Sequence, residues 1–197
     1  NRRHVITANK AVIAERGAEL QDLARESGVK LLFGAAVGGA APLVETLATL
    51  EGDPVESIDA VLNGTTNFVI SRVEAGIEFE EAVREAQTLG FAEADPSRDL
   101  DATDSLDKVR ILARLATGRD AGIGEKRGVL GGITTQVCSA VATNQHLRLV
   151  ASLRNGSVSV APVVVSAATP LGALAAEENA AILRTRSGRE VIVRGKG

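Results

Sequence analysis

An α+β fold, a mainly antiparallel sheet covered on one face by helices, follows from three features of this 197-residue chain. Leu147, Leu149, Ala151 and Leu153 alternate, Asn155-Gly156 supplies a two-residue turn signal, and Val158, Val160 and the valines of 163–165 answer from the other side. That pattern predicts a β-hairpin. Val55 to Leu62 reads as another strand for the same sheet. Phe79, Ala82, Val83, Ala86 and Leu89 recur at helical spacing, and so do Leu106, Val109, Ala113 and Ala116. Each set gives a helix one apolar face to lay on a sheet.

The remaining elements follow in chain order. His4 to Ala8 reads as the end of a short strand, and a turn at Asn9-Lys10 opens a helix whose apolar side is Ala11, Val12, Ala14, Ala18, Leu20 and Leu23. Gly28 stops it. Lys10 therefore stands at a strand-to-helix junction, the edge at which open α/β folds bind ligands. As a plain helix-start lysine it would sit unfavourably at the positive helix end. Val29 to Phe33 is a short strand running into GAAVGGAAP (34–42), whose small residues allow close approach of backbone, and Pro42 suits the first turn of a helix through Leu50. The glycines Gly34, Gly38 and Gly39 do not fit the Gly-x-Gly-x-x-Gly dinucleotide fingerprint. NGTTN (63–67) reads as a turn that starts a helix, with Thr65 or Thr66 as its cap. Beyond Gly118 comes a glycine-punctuated connection, then a helix from about Ile133 to Ala142, and at the end a second hairpin, Ile182–Arg186 with Glu190–Arg194, leading to Gly195-Lys196-Gly197.

Composition excludes several classes. A formal net charge of -3 without a basic run argues against a nucleic-acid surface, and 2% aromatics, all Phe, leave no stacking platform. The single cysteine, Cys138, cannot form an internal disulfide, and with only His4 and His146 beside it there is no zinc-ligand set. We read a reducing cytoplasm as the compartment. No apolar run is long enough to span a membrane and no leader pattern opens the chain. The sequence holds no methionine and begins abruptly with Asn1-Arg2-Arg3, so it is read as a fragment or a processed product.

The densest chemistry lies in Gly90 to Lys108, GFAEADPSRDLDATDSLDK. Glu93, Asp95, Asp99, Asp101, Asp104 and Asp107 are too many like charges for a core, and Pro96 bars a continuous helix, so the first part is a loop. Asp104 and Lys108 then share one face of the following helix. On spacing alone, that pair reads as a solvated salt bridge rather than a reactive centre.

The run GFAEADPSRDLDATDSLDKVRIL, with ITANK (6–10), AAVGG and Pro42, and LNGTTNF (62–68), resembles the homoserine dehydrogenases over essentially the whole chain. The resemblance implies a substrate-binding, catalytic and dimerisation domain at 34–168. It also implies remnants of a Rossmann-type α/β nucleotide-binding domain at both ends, 1–33 and a return segment at 169–197. The implied reaction is the NAD(P)-dependent interconversion of L-homoserine and L-aspartate 4-semialdehyde, in a homodimer acting on a small molecule. Lys108 is the implied proton donor, oriented by Asp104. Glu93 would take the substrate's α-ammonium with Asp99 in support, Gly64 and Thr65 would face the amino-acid end, and Lys10 and Gly195 would lie on the cofactor side. The family's monovalent-cation site, a Phe-Glu-Ala-x-Val pattern, is matched except that Gly34 stands at the Glu position; the carbonyls of Val37, Gly39 and Ala41 remain available. Two other readings stay open: a dehydrogenase acting on another amino-acid semialdehyde, and a non-catalytic binding or assembly module.

Overall fold

A computed structural model of the chain describes residues 3–130, 132–175 and 177–196. Gly197, at the end of the expected final turn, lies outside them. The chain opens with β1 (Val5–Ile6), α1 (Lys10–Glu26) and β2 (Leu31–Leu32), in which the two short strands pair in parallel on either side of the helix. Asn9 caps α1 by accepting from the Val12 amide at 3.2 Å, and Gly28, at φ 66°, ends it. A single 3-10 turn, Gly34–Ala36, and α2 (Leu43–Thr49) follow, and Pro42 is the residue before the first turn.

The body of the molecule is a six-stranded mixed sheet. Its strands are β3 (Val55–Val61), β4 (Gly122–Lys126), β5 (Gln145–Arg154), β6 (Ser157–Ser166), β7 (Glu178–Thr185) and β8 (Glu190–Lys196), in the order β4-β6-β5-β3-β7-β8. Every pairing is antiparallel except that of β4 with β6. The expected hairpin turns at Asn155 and Gly156, both with positive φ, and keeps Leu153 opposite Val158.

Four helices complete the chain besides the one-turn α5 (Ser97–Leu100): α3 (Gly64–Glu74), α4 (Phe79–Thr88), α6 (Thr103–Thr117) and α7 (Thr134–Val141). The alternation in the strands sends Ile58, Ala60, Leu147, Leu149, Ala151, Leu153, Ala181 and Leu183 into a core shared with Phe68, Val69, Val109 and Leu112 of the helices. A smaller apolar cluster, Val61, Val150, Ala180, Ile182, Leu171 and Leu174, lies apart from it, with Val165 packed alongside. Val163 and Val164 stay exposed.

Four expectations need correction. The connection after Gly118 contains a strand, β4, whose sequence GIGEK is exposed throughout and so carries no alternation to read. The cap of α3 is Asn63, whose Oδ1 accepts from the Thr66 amide at 2.7 Å; Thr65 and Thr66 use their hydroxyls elsewhere. Pro96 does interrupt helix, but the four residues after it form the turn of α5. The final hairpin is longer than expected and is part of the main sheet, because β7 pairs with β3 from Val55–Thr185 to Val61–Ala180.

Candidate active site

Asp104 lies in the first turn of α6, where the helix dipole favours a carboxylate. Its side chain is almost wholly buried, a costly place for a charge unless it is paired. Lys10 Nζ meets one carboxylate oxygen at 2.6 Å and Lys108 Nζ, one helical turn on, meets the other at 2.7 Å. Lys108 also donates to the Leu62 carbonyl at the end of β3, at 2.6 Å. Thus the first residue of α1 and the first turns of α6 converge on one carboxylate, far apart as they are in sequence.

Asn63 ties a second carboxylate to the first. Its Nδ2 donates to Asp99 Oδ1 at 2.6 Å and to Asp104 Oδ2 at 2.9 Å, while its Oδ1 caps α3. The Thr66 hydroxyl donates to the Asp99 carbonyl, and the Thr65 hydroxyl to that of Phe91, so the acidic loop is stitched to the start of α3 on two levels. Ala102, fully buried, takes a left-handed conformation (φ 71°) immediately before α6. A residue with a Cβ adopts that turn at a cost of roughly 1–2 kcal/mol. It turns the chain sharply between the segment bearing Asp99 and the helix bearing Asp104.

The two carboxyls answer differently to this setting. Burial raises the Asp99 carboxyl above its ordinary value, with the neighbouring Asp104 charge adding to the effect and the Asn63 hydrogen bond, Lys108 and Lys10 only partly opposing it. Burial acts the same way on Asp104, but the Lys108 charge and the hydrogen bonds from Lys10, Lys108 and Asn63 overcome it and hold that carboxyl below its ordinary value. The two carboxylates and two lysines form one compact cluster.

The cluster opens into a cavity of about 430 Å³, lined by Lys10, Asn63, Gly64, Thr65, Asp99, Asp104 and Lys108, and closed elsewhere by Gly90, Phe91, Glu177 and Lys196. Its volume suits a small ligand, since such sites run to about 300–1,000 Å³. The match to known proteins is direct: residues 42–197 fit the family model described as homoserine dehydrogenase. The chain belongs to the homoserine dehydrogenase family. Among its relatives, the homoserine dehydrogenase of Synechocystis is 48% identical over 120 residues, covering 60% of this chain and 28% of that one. That of Methanocaldococcus jannaschii is 34% identical, with all of this chain aligned to 60% of the relative. A solved hyperthermophilic archaeal homoserine dehydrogenase in complex with NADPH superposes with a TM-score of 0.86 at 34% identity, covering 98% of this chain and 58% of its own. The chain thus spans about 60% or less of the homoserine dehydrogenases it matches.

Within this homoserine dehydrogenase fold, Lys108, Asp104, Asp99, Gly64, Thr65 and Lys10 come together as expected from the sequence. Two others stand outside the cavity. Glu93 is exposed on the loop beyond Phe91, with its carbonyl accepting from Gln87 Nε2 at 3.3 Å. Gly195 packs instead against the 38–41 loop, where a Cβ would stand 2.5 Å from the Ala41 nitrogen; its neighbour Lys196 is the residue that lines the cavity. Sequence reasoning missed Asn63, Glu177 and Lys196. For Asn63 the signal was present, an amide directly before Gly-Thr-Thr at a helix start; for the other two, only the tertiary fold brings them in.

The loop after Gly34 is made of two backbone turns, Val37 N to Gly34 O at 3.4 Å and Ala41 N to Gly38 O at 3.0 Å. The carbonyls of Val37 and Gly39 receive no hydrogen bond among the described residues, whereas that of Ala41 accepts from the Leu43 amide at 2.8 Å. Gly34 has no carboxylate to offer, yet the space its side chain would enter is taken by one: Glu45 Oε1 lies 2.5 Å from where a Cβ on residue 34 would stand.

Proposed function

We propose that the protein carrying this chain is a cytoplasmic homoserine dehydrogenase that interconverts L-homoserine and L-aspartate 4-semialdehyde with NAD(P). The observation that carries this reading is the clamping of Asp104 between Lys10 and Lys108 at the wall of a cavity of amino-acid size. A nicotinamide cofactor, when bound, supplies or accepts the hydride. In the direction of reduction, negative charge grows on the aldehyde oxygen, and a positioned ammonium is suited to meet it and give up a proton. Lys108 has that role here. Asp104 holds its Nζ in place. Lys10, half exposed on the other oxygen of Asp104, keeps a donor toward the cofactor side. Gly64 and Thr65 bound the amino-acid end, Glu93 meets the α-ammonium from the rim, and Asp99 supports that end.

The parallel unit β1–α1–β2 supports a nucleotide domain adjoining residues 1–33. Its apolar residues Ile6, Val5, Leu32, Val12 and Leu23 are exposed, a surface that the remainder of an α/β domain would cover. In this reading residues 169–197 lead back toward it, and Gly195 lies on its side of the site. The sheet offers a further apolar patch, Val150, Val163, Val165, Leu171 and Ile182 around a shallow cavity, and we assign it to a homodimer contact. The carbonyls of Val37, Gly39 and Ala41 would hold a monovalent cation, which would brace the loop that receives β8.

The test is steady-state oxidation of homoserine with NAD and with NADP by the full-length protein. Turnover with homoserine but not with homologous amino alcohols is expected. No turnover with either cofactor would favour a binding or assembly module. Residues 1–197 alone are expected to be inactive, because the cofactor's pyrophosphate requires a glycine loop that this segment does not contain. Light scattering at micromolar concentration should report a dimer.

A further inference from the structure

We infer that Arg114 is a positioning residue of the site: its guanidinium, seated over Gly17, fixes α1 on α6 so that Lys10 meets Asp104. The kinetic consequence presupposes the dehydrogenase reading; the placing of Lys10 does not. Lys10, Ile13, Ala14 and Gly17 recur at three- and four-residue intervals and so share one face of α1. Ile13, Ala14 and Gly17 are the buried residues of that helix. Arg114 Nη1 donates to the Ile13 carbonyl at 2.6 Å and Nη2 to that of Ala14 at 2.9 Å, while Nε donates to Asp120 at 2.6 Å. Among the described residues, these two carbonyl contacts and the Lys10–Asp104 pair are the only hydrogen bonds and ion pairs that join residues 3–32 to the chain beyond residue 40.

The glycine explains how a guanidinium reaches the middle of a helix. Side chains on a helix lean toward its N-terminus, so a Cβ at residue 17 would cover the turn that holds the Ile13 and Ala14 carbonyls. Built there, it collides with Arg114 Nη1. Glycine weakens a helix interior relative to alanine, and at residue 17 no positive φ calls for it. The guanidinium does. Arg114 is itself only 6% exposed, a costly place for a cation unless acceptors meet it. Two neutral carbonyls and the exposed carboxylate of Asp120 do so. A planar fork spans two successive carbonyls at once, which the point charge of an ammonium does not. The joint thereby sets both the height and the rotation of α1 one turn from Lys10, whose Nζ has one oxygen of Asp104 to find.

The experiment compares the parent with Arg114→Met, Arg114→Lys and Gly17→Ala in the full-length protein, each checked as folded by its melting transition. Reductive methylation with formaldehyde, followed by mass spectrometry, reads the freedom of Lys10 Nζ without turnover, with exposed Lys30 as the internal reference. Lys10 should be modified severalfold faster in all three variants, and Lys30 at the parental rate. In kinetics, Arg114→Met should lower kcat/KM for homoserine by about tenfold or more, within the scale of a small misplacement at a reacting centre. In a Lys10→Ala background the same substitution should change it by less than about twofold, because a residue that acts through Lys10 has nothing left to place. Where Arg114→Met does not fold, Gly17→Ala, which favours the helix yet displaces the fork, carries both readouts. Equal losses in the two backgrounds, unchanged methylation of Lys10, or a matching rise at Lys30 would make Arg114 a general strut and overturn the assignment. A parent without turnover would sink the dehydrogenase reading and leave the methylation result to decide the role of Arg114.

Discussion

Two carboxylates largely withdrawn from solvent each hold two basic side chains, in contrasting settings. Asp104 is gripped by Lys10 and Lys108 at the wall of a cavity. Glu74, the last residue of α3, is gripped by His146 at 3.0 Å and Arg148 at 3.1 Å, and it also accepts the Leu147 amide. Arg148 is 2% exposed; its terminal nitrogens also donate to the carbonyls of Leu147 and Gly172, while its buried Nε has no partner among the described residues. Only His146 keeps a sizeable part of its side chain accessible, and none of the three lines the cavity at Asp104, so the cluster fastens α3 to β5 and to the 172–174 segment. Around Asp104 the two ammonium groups retain N–H donors, and Lys10 keeps more than a third of its side chain accessible. A charge count would not separate a strut from a reactive centre. Spare hydrogen-bonding capacity directed at a cavity does.

The strongest test of this distinction removes one partner from each cluster. Lys108→Ala should lower kcat of the full-length enzyme by about a hundredfold or more, the usual scale for a general acid, with a smaller effect on KM. Lys108→Arg should not restore it, because the guanidinium keeps its proton and its planar fork fills a different shape. Near-parental turnover in Lys108→Ala would make the Asp104 cluster a second strut. Glu74→Ala should behave inversely. Leaving the Arg148 charge buried and alone should cost about 3 kcal/mol of stability by chemical denaturation, with kcat of the folded enzyme within about twofold of the parent. A large loss of turnover at unchanged stability would erase the contrast.

Smaller effects sharpen it. Glu93→Gln should raise KM for homoserine by about tenfold while sparing kcat, since a charge that holds the α-ammonium acts in ground and transition states alike; unchanged KM would leave that end to Asp99. The pH dependence is subtler still. Asp99 has a raised folded pKa, so its ionised form weakens the fold above that value, and the penalty fades as pH falls through it. Asp104, held low, does the reverse: its contribution is present above the ordinary carboxylate range and is lost as pH falls through its lowered value. Asp99→Asn should therefore melt slightly higher than the parent near neutrality and no higher in mild acid, as followed by scanning calorimetry across pH.

Periodicity made most of the fold legible. The hairpin β5–β6 and helices α4 and α6 bury one side and so write their spacing into the sequence. β4 escaped because an exposed edge strand rich in glycine and charge has no side to bury. The place of β7 beside β3 escaped because alternation marks a strand without naming its neighbour. At the site, Asp104 and Lys108 were legible as a helical pair, and the motifs containing Lys10 and Asn63 were visible separately. Their meeting depends on how α1 packs on α6, where Arg114 donates to the carbonyls of Ile13 and Ala14.

The central place of β3 sets an order of events for a chain made from its N-terminus. β3 is complete at Val61, yet its neighbours begin only at Gln145 and Glu178. Throughout the intervening synthesis Val55, Ile58 and Ala60 have no sheet to enter, and pairings so distant in sequence are slow to form in any case. The carbonyl of Leu62, which receives Lys108, and the cap at Asn63 hang from the end of that same strand. A nascent chain halted before β7 would expose an apolar strand with an unpaired edge, a target for chaperones and for aggregation, and the cluster at Asp104 would be held in place only once that strand has its sheet.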